Sequence, residues 1–369
     1  MQSEVEETFI QLNLNYDKLY MIPKDWNEDE VVYDAICIKL RQGNYTHVFS
    51  INFSPIVCQA IRDCGSREKY ISWTHSVPME VNDLNLLKYD FNRIFVFDKN
   101  YVSFLQTLGC SYVYHLPLAT TIRKIIRKRP EFIHDLSMVG TLYNSEYTNL
   151  ISPLKKYDRG YLDGLVEFQC LVNGANVIDM GLTEELIDRM NATYESKLES
   201  TDKFIPYNKR QLSYCMCREA TRRNRIMAFL LLEGKVQTGL YTGDKADMLR
   251  HTYKGGYIDY KIKMPEVFRN SKVNLNITLS CIESGIPLRL LDIIGCGGVA
   301  LSNSQPEIFE YFRPDIDIVC FDNMEELVNK ALFLIKEDGV RDKLIENGLS
   351  VIEKAFKFSD RVNAMFNIQ

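Results

Sequence analysis

The chain has 369 residues and a net charge of −5, with 46% hydrophobic and 25% charged residues. That length is more than one typical core fills, so two domains are expected. The acidic balance argues against a dedicated nucleic-acid binder, and no apolar run approaches the ~20 residues needed to span a bilayer. Ten cysteines lack CxxC spacing, and the nearest pair, Cys215 and Cys217, has no histidine beside it. That usage reads as reduced thiols rather than a disulfide framework or zinc site. The opening "MQSEVEETF" has no apolar core of a signal peptide. The expectation is a cytoplasmic α/β protein without a metal site.

The first third alternates strand and helix patterns. "THVFSINF" (46–53), "KYISWTH" (69–75), "RIFVFD" (93–98) and "SYVYHLP" (111–117) are rich in β-branched and aromatic residues. Helical candidates at 55–63 and 100–108 lie between them. Such alternation predicts a parallel sheet, with ligands at the carboxyl ends of its strands. His75, Asp98 and His115 fall at or near those ends. A basic segment, "TTIRKIIRKRPEF", then separates this pattern from a second one. The expected division is an N-terminal domain over 1–119, a linker over 120–135 and a C-terminal domain over 136–369.

The second domain opens with "LSMVGTLYN", a strand running into a glycine loop at Gly140. From 148 to 234 helical spacing dominates, which predicts a helical insertion, with Thr183 as an N-cap. Strand and helix then alternate again, through "KVQTGLYTGD", "MPEVFRNSKVNLNITL" and "DIVCF". Asn323 and Glu326 are placed to cap the amphipathic helix "MEELVNKALFLIK". In "ESGIPLRLLDIIGCGGVALSN" (283–303) a short helix is pinned between two glycine turns and carries Arg289 and Asp292 on one side.

Together, "MPEVFRNSKVNLNITL" and "SGIPLRLLDIIGCGGVALSNSQPEIFEYF" resemble the donor-site signature of group-1 glycosyltransferases of the spore-maturation, CgeB-like branch. "ISWTHSVP" and "YHLPLAT" are similar to landmarks of its first domain. The resemblance implies a GT-B architecture, two Rossmann-like domains facing a cleft, with the acceptor held by the first and the donor by the second. It implies transfer of a sugar from a nucleotide-sugar, a UDP-sugar above all, to an acceptor hydroxyl on a surface or flagellar protein or a polysaccharide precursor. The nucleotide-sugar is a substrate and no cofactor is implied. An epimerase-like enzyme or a degenerate scaffold on the same fold remain the alternatives.

The residues agree physically. A helix N-terminus supplies N–H groups and partial positive charge for a diphosphate. The donor-binding set is therefore Ser284, Gly285, Ile286, Pro287, Leu288, Arg289 and Asp292, with Asn276, Thr278 and Gly140 at the preceding strand ends. Arg289 would fork onto the phosphates, and Asp292 would take the ribose diol, the role the resemblance gives the second glutamate of the retaining enzymes. Ser284 stands where the first glutamate is expected, so retaining or inverting outcome stays open. A buried Arg–Asp pair stapling helix to sheet is the alternative. His75 reads as a general base or acceptor contact, or as a histidine capping a strand. Asn274, Asn276 and Thr278 share one strand face, either to bind sugar hydroxyls or as a polar sheet edge. Asp315 and Asp317 precede their strand, so this D-x-D reads as a loop rather than a metal site. The basic runs "IRKIIRKRP" and "CREATRRNR" lack interleaved aromatics and read as solvated faces, with peripheral membrane attraction or donor phosphates as the other options.

Overall fold

A computed structural model describes residues 1–65, 67–123, 131–197 and 206–367. In the first part, α1 (Gln2–Gln11) and α2 (Glu30–Gln42) lead into β1 (His47–Ile51), α3 (Pro55–Asp63) and β2 (Lys69–Thr74). A 3₁₀ turn at Leu84–Lys88, β3 (Asn92–Val96), α4 (Lys99–Thr107) and β4 (Val113–His115) follow. The four strands form one parallel sheet in the order β1-β2-β3-β4. Local chemistry sets the helix starts. Ser54 caps α3 with Pro55 in its first turn, where the missing N–H costs nothing. Asp98 caps α4 through the Tyr101 N–H at 2.8 Å.

The second sheet begins at β5 (His134–Val139). A helical stretch separates it from the next strand: α5 (Tyr147–Ile151), α6 (Lys156–Gln169), α7 (Val177–Gly181), α8 (Glu184–Glu195) and α9 (Lys209–Leu232). Thr183 caps α8 as its sequence position predicts, and Asn208 and Gln211 close a reciprocal capping box at α9. Then come β6 (Thr238–Tyr241), β7 (Tyr253–Lys254), α10 (Lys263–Arg269), β8 (Ser271–Asn276), α11 (Leu288–Gly295), β9 (Ala300–Asn303), α12 (Ile308–Tyr311) and β10 (Val319–Phe321). The chain ends in α13 (Met324–Lys336), α14 (Asp338–Ala355) and α15 (Phe358–Phe366). Asn323 caps α13 through the Glu326 N–H at 2.9 Å.

The strand order is β10-β9-β8-β5-β6-β7, all parallel. Leu136, Met138, Val273, Leu275 and Leu301 from its strands pack with Phe229, Leu232, Leu327 and Ala331 into one core. β5 is flanked by β6 on one side and β8 on the other, so the connections leave it in opposite directions. This is the switch point at which open parallel sheets form a ligand crevice.

Contacts group the chain into two units: Met1–Thr121 with Gly285–Leu288 and Glu353–Gln369, and Ile122–Ser284 with Arg289–Ile352. The expected division at 120–135 left everything after it in the second domain, whereas the C-terminal helix returns to the first unit. Aromatic packing accounts for this. Phe358 meets Trp73 at 5.9 Å between ring centroids, and Phe366 meets Phe9 at 5.8 Å. Of the expected linker, 124–130 lies outside the described residues.

Candidate functional site

The second unit builds a polar mouth where β5, β6 and β8 end. After β5 the chain turns through Gly140, whose φ of +156° is open to glycine and strained for other residues. Tyr143, three residues on, also has positive φ, at 54°, a strained backbone of the kind concentrated at functional sites. Two side chains hold this loop. Asp244, beyond the end of β6, accepts from the Leu142 N–H. Arg225, from α9, donates to the Thr141 carbonyl. The same guanidinium donates to the Ile277 carbonyl through Nε at 3.1 Å and again through Nη2. Arg225 thus bridges the loop after β5 to the end of β8.

Arg225 is 8% exposed, and its guanidinium stacks on Tyr143 at 4.7 Å. Burial pushes its pKa down; the charge of Arg289 adds to that fall, while Tyr143 and Asp244 oppose it. Arg225 is bonded to neutral carbonyls and not to a carboxylate, and an incoming anion would relieve its buried charge. The basic run "CREATRRNR" is accordingly no simple solvated face. Arg225 is interior, and Arg223 is held by Glu219 at 2.9 Å and Asp163 at 3.2 Å.

The anticipated donor set divides by environment. α11 begins at Leu288, so Ser284, Gly285 and Ile286 precede it instead of forming its first turn. Ser284 Oγ donates to Glu307 Oε1 at 2.7 Å, and its carbonyl accepts from the Glu307 N–H. The Gly285 N–H donates to Asp98 Oδ2 at 3.2 Å, within the first unit. A Cβ on Gly285 would lie 2.6 Å from the Phe97 ring and 2.7 Å from its carbonyl, which is why glycine stands there. Ile286 is buried, and Pro287 and Leu288 are half-buried.

Arg289 is half-buried, its Nη1 against Met264 Sδ and its guanidinium 5.9 Å from the Phe268 ring centroid. Asp292 is 3% exposed and accepts from the Tyr260 hydroxyl at 2.8 Å. Both side chains thus tie α11 to α10 and the segment before it. The polar row on β8 is neither an edge nor an open surface. β8 is central, and Asn276 spends its amide on Ser302 at 2.9 Å and Thr278 at 3.2 Å. Thr278 also gives its N–H to Asn303. Asn274 accepts from the Ser137 hydroxyl and donates to the Phe268 carbonyl in the last turn of α10. This ladder of amides and hydroxyls cross-links β5, β8 and β9.

In the first unit His75 follows β2, at the carboxyl edge of the sheet. Its N–H donates to Asn52 Oδ1 at 3.0 Å, and its ring lies between Asn52 Nδ2 at 3.4 Å and Ser76 Oγ at 3.3 Å. Burial lowers its pKa, so the neutral, proton-accepting form prevails near neutral pH. Asp317 is consumed by a fork from Arg313, at 2.8 and 2.9 Å. Among the described residues no group of three or more His, Cys, Asp or Glu could hold a metal ion, and no helix is long and apolar enough to cross a membrane. None of the ten cysteines is in a disulfide.

Residues 218–367 match the family model described as glycosyl transferase-like. No curated protein is detectably similar in sequence. Sucrose-phosphate synthase from Thermosynechococcus elongatus is 10% identical with a TM-score of 0.52, over 95% of this chain and 80% of that one. T4 phage BGT in complex with its UDP-glucose substrate is 9% identical with a TM-score of 0.52, over 99% and 93%. Anabaena HepE in complex with UDP-glucose is 9% identical with a TM-score of 0.52, over 98% and 87%. The fold is GT-B. The chain spans about half the length of S. aureus TarM, 51% of which it covers at 7% identity.

The sequence singles out Gly140, Asn276, Thr278 and Arg289 as donor-binding; Gly140 follows β5, Asn276 ends β8 with Thr278 two residues on, and Arg289 lies in α11. Sequence reasoning missed Arg225, Tyr143 and Asp244. Arg225 had one signal, an arginine in a basic helical run, and helical spacing alone does not show that this position faces the sheet.

Proposed function

We propose that the protein is a metal-independent glycosyltransferase that moves a sugar from a UDP-sugar to an acceptor hydroxyl. The observation that carries this reading is the crevice at the β5/β8 switch point, where buried Arg225 bridges the Gly140 loop to the end of β8, together with half-buried Arg289 on α11 of the same unit. A diphosphate is the natural partner of two arginines, and their charge would stabilise the leaving UDP without a metal or cofactor. The glycosyl transferase-like match over 218–367 includes both arginines. Asp292 with Tyr260 forms the adjoining polar pair and is assigned to the ribose diol. Ser284 and Gly285 are assigned to the turn that precedes the donor helix. His75 is assigned to the acceptor hydroxyl as its base. The acceptor would be a surface or flagellar protein or a polysaccharide precursor, as the spore-maturation resemblance implies.

Titration of the full chain with UDP and a panel of UDP-sugars, followed by an assay of donor hydrolysis in excess chelator, tests the reading. Binding of UDP and slow release of free sugar with chelator present are expected. Absence of UDP binding would point to a scaffold. Hydrolysis that needs added manganese or magnesium would overturn the metal-independent mechanism.

A further inference from the structure

Beyond β8, β9 and β10, and still within the second unit, lies a cavity of about 140 Å³ whose lining includes Asn224, Thr278, Ser280, Asn303, Gln305 and Asp322. Gln305 is 2% exposed. Its Nε2 donates to the Ile282 carbonyl at 3.1 Å, whereas its buried Oε1 has no hydrogen-bond partner among the described residues. A buried acceptor left this way is costly, so a donor from outside the chain is expected there. Thr278 Oγ1 accepts from Asn276 and so keeps its own proton to give. Among the described residues no lysine, arginine or histidine lines the space, which disfavours a phosphate or carboxylate. Drug-sized ligands occupy about 300 Å³ or more, so this volume suits one ring rather than a nucleoside. A flat base would want an aromatic face, and among the described residues the one aromatic side chain lining the space, Phe321, is packed into the core.

We propose that this cavity seats one neutral pyranose ring, the transferred sugar of the donor, with Gln305 Oε1 accepting from a ring hydroxyl. Sugar hydroxyls both donate and accept, which matches a wall that mixes amides, hydroxyls and a single carboxylate. The inference rests on the UDP-sugar reading above and narrows it to uncharged sugars.

The test is calorimetric titration of the full chain with UDP, UDP-glucose, UDP-galactose, UDP-N-acetylglucosamine and UDP-glucuronic acid. Gln305→Leu is the main variant, and Asn224→Ala is the second in case the first does not fold. At least one neutral UDP-sugar should bind more tightly than UDP, and UDP-glucuronic acid should not. Gln305→Leu should weaken that neutral donor by about 5- to 10-fold, the loss of one hydrogen bond, and leave UDP unchanged. Equal weakening of UDP and UDP-sugar would assign the cavity to the base and overturn the proposal. No change in either variant would make it a water site and would also overturn it. If UDP does not bind at all, the functional reading fails. Saturation-transfer NMR with free methyl glucoside, methyl galactoside and methyl N-acetylglucosaminide then judges the cavity alone. A signal lost in Gln305→Leu supports the pyranose site, and no signal refutes it.

Discussion

Replacing Arg225 with methionine keeps most of the side-chain length and deletes the guanidinium that joins the β5 loop to the end of β8. The Ile277 carbonyl, in a residue 4% exposed, loses the Nε donor at 3.1 Å and the Nη2 donor; stranding it costs about 1–3 kcal/mol. Loss of the 4.7 Å stack on Tyr143 adds about 0.5–2 kcal/mol. Thr141 is exposed, so its carbonyl regains water and adds little. Methionine, in return, avoids the desolvation that pushes the arginine's pKa down. The net expectation is a loss of about 1–4 kcal/mol, or roughly 2–16 °C in the melting of the second unit, at ~2–4 °C per kcal/mol for a domain of 150–250 residues. UDP affinity should fall at least about tenfold, because the Gly140–Tyr143 loop loses one of its two braces. Arg225→Lys should recover part of the UDP affinity through its charge but little of the melting temperature, since one ammonium cannot span both carbonyls. Calorimetric melting and UDP titration of the three proteins separate these effects. A methionine variant melting within about 1 °C of the parent would refute the bridging role, whatever happens to UDP.

Gly285→Ala should destabilise the first unit by about 1–3 kcal/mol, because its methyl would enter the Phe97 ring and carbonyl; a urea melt without a shift would show that the turn can move. Tyr260→Phe should cost about 1.5–3 kcal/mol by removing the hydroxyl that Asp292 accepts from. Asp292→Ala should add less in that background than alone, which a double-mutant cycle measures. Arg289→Ala should weaken UDP and UDP-sugars alike by roughly ten- to a hundredfold, and added salt should narrow the gap between parent and variant, as titrations at two ionic strengths can read. Burial lowers the folded-state pKa of His47, His75 and His134. Their stabilising contribution is therefore present above the unfolded value of about 6.5 and is lost as pH falls from there through the lowered values. Denaturation at about pH 7.5 and about pH 5.5 should show lower stability in acid, and His75→Asn should flatten part of that slope.

The sequence by itself determined the local elements and their class. Strand patterns at 46–53, 69–75, 93–98 and 111–117 became β1 to β4, and Ser54, Asp98, Thr183 and Asn323 cap helices through hydrogen bonds that span only three residues. Period-2 and period-3.6 patterning and capping are local, so they are legible in one dimension. The Gly140 loop and the Arg289–Asp292 helix were legible for the same reason. Tertiary structure decided which polar groups are already committed. Ser284 is tied to Glu307, Asp292 to Tyr260, and Asn276 to Ser302, partners 23, 32 and 26 residues away. It also decided that Arg225 turns inward to the switch point, and that α15 returns to the first unit through Phe358 and Phe366. Each of these outcomes depends on which chain segments the sheet order brings together, and a buried polar group must find its partner wherever the fold places one.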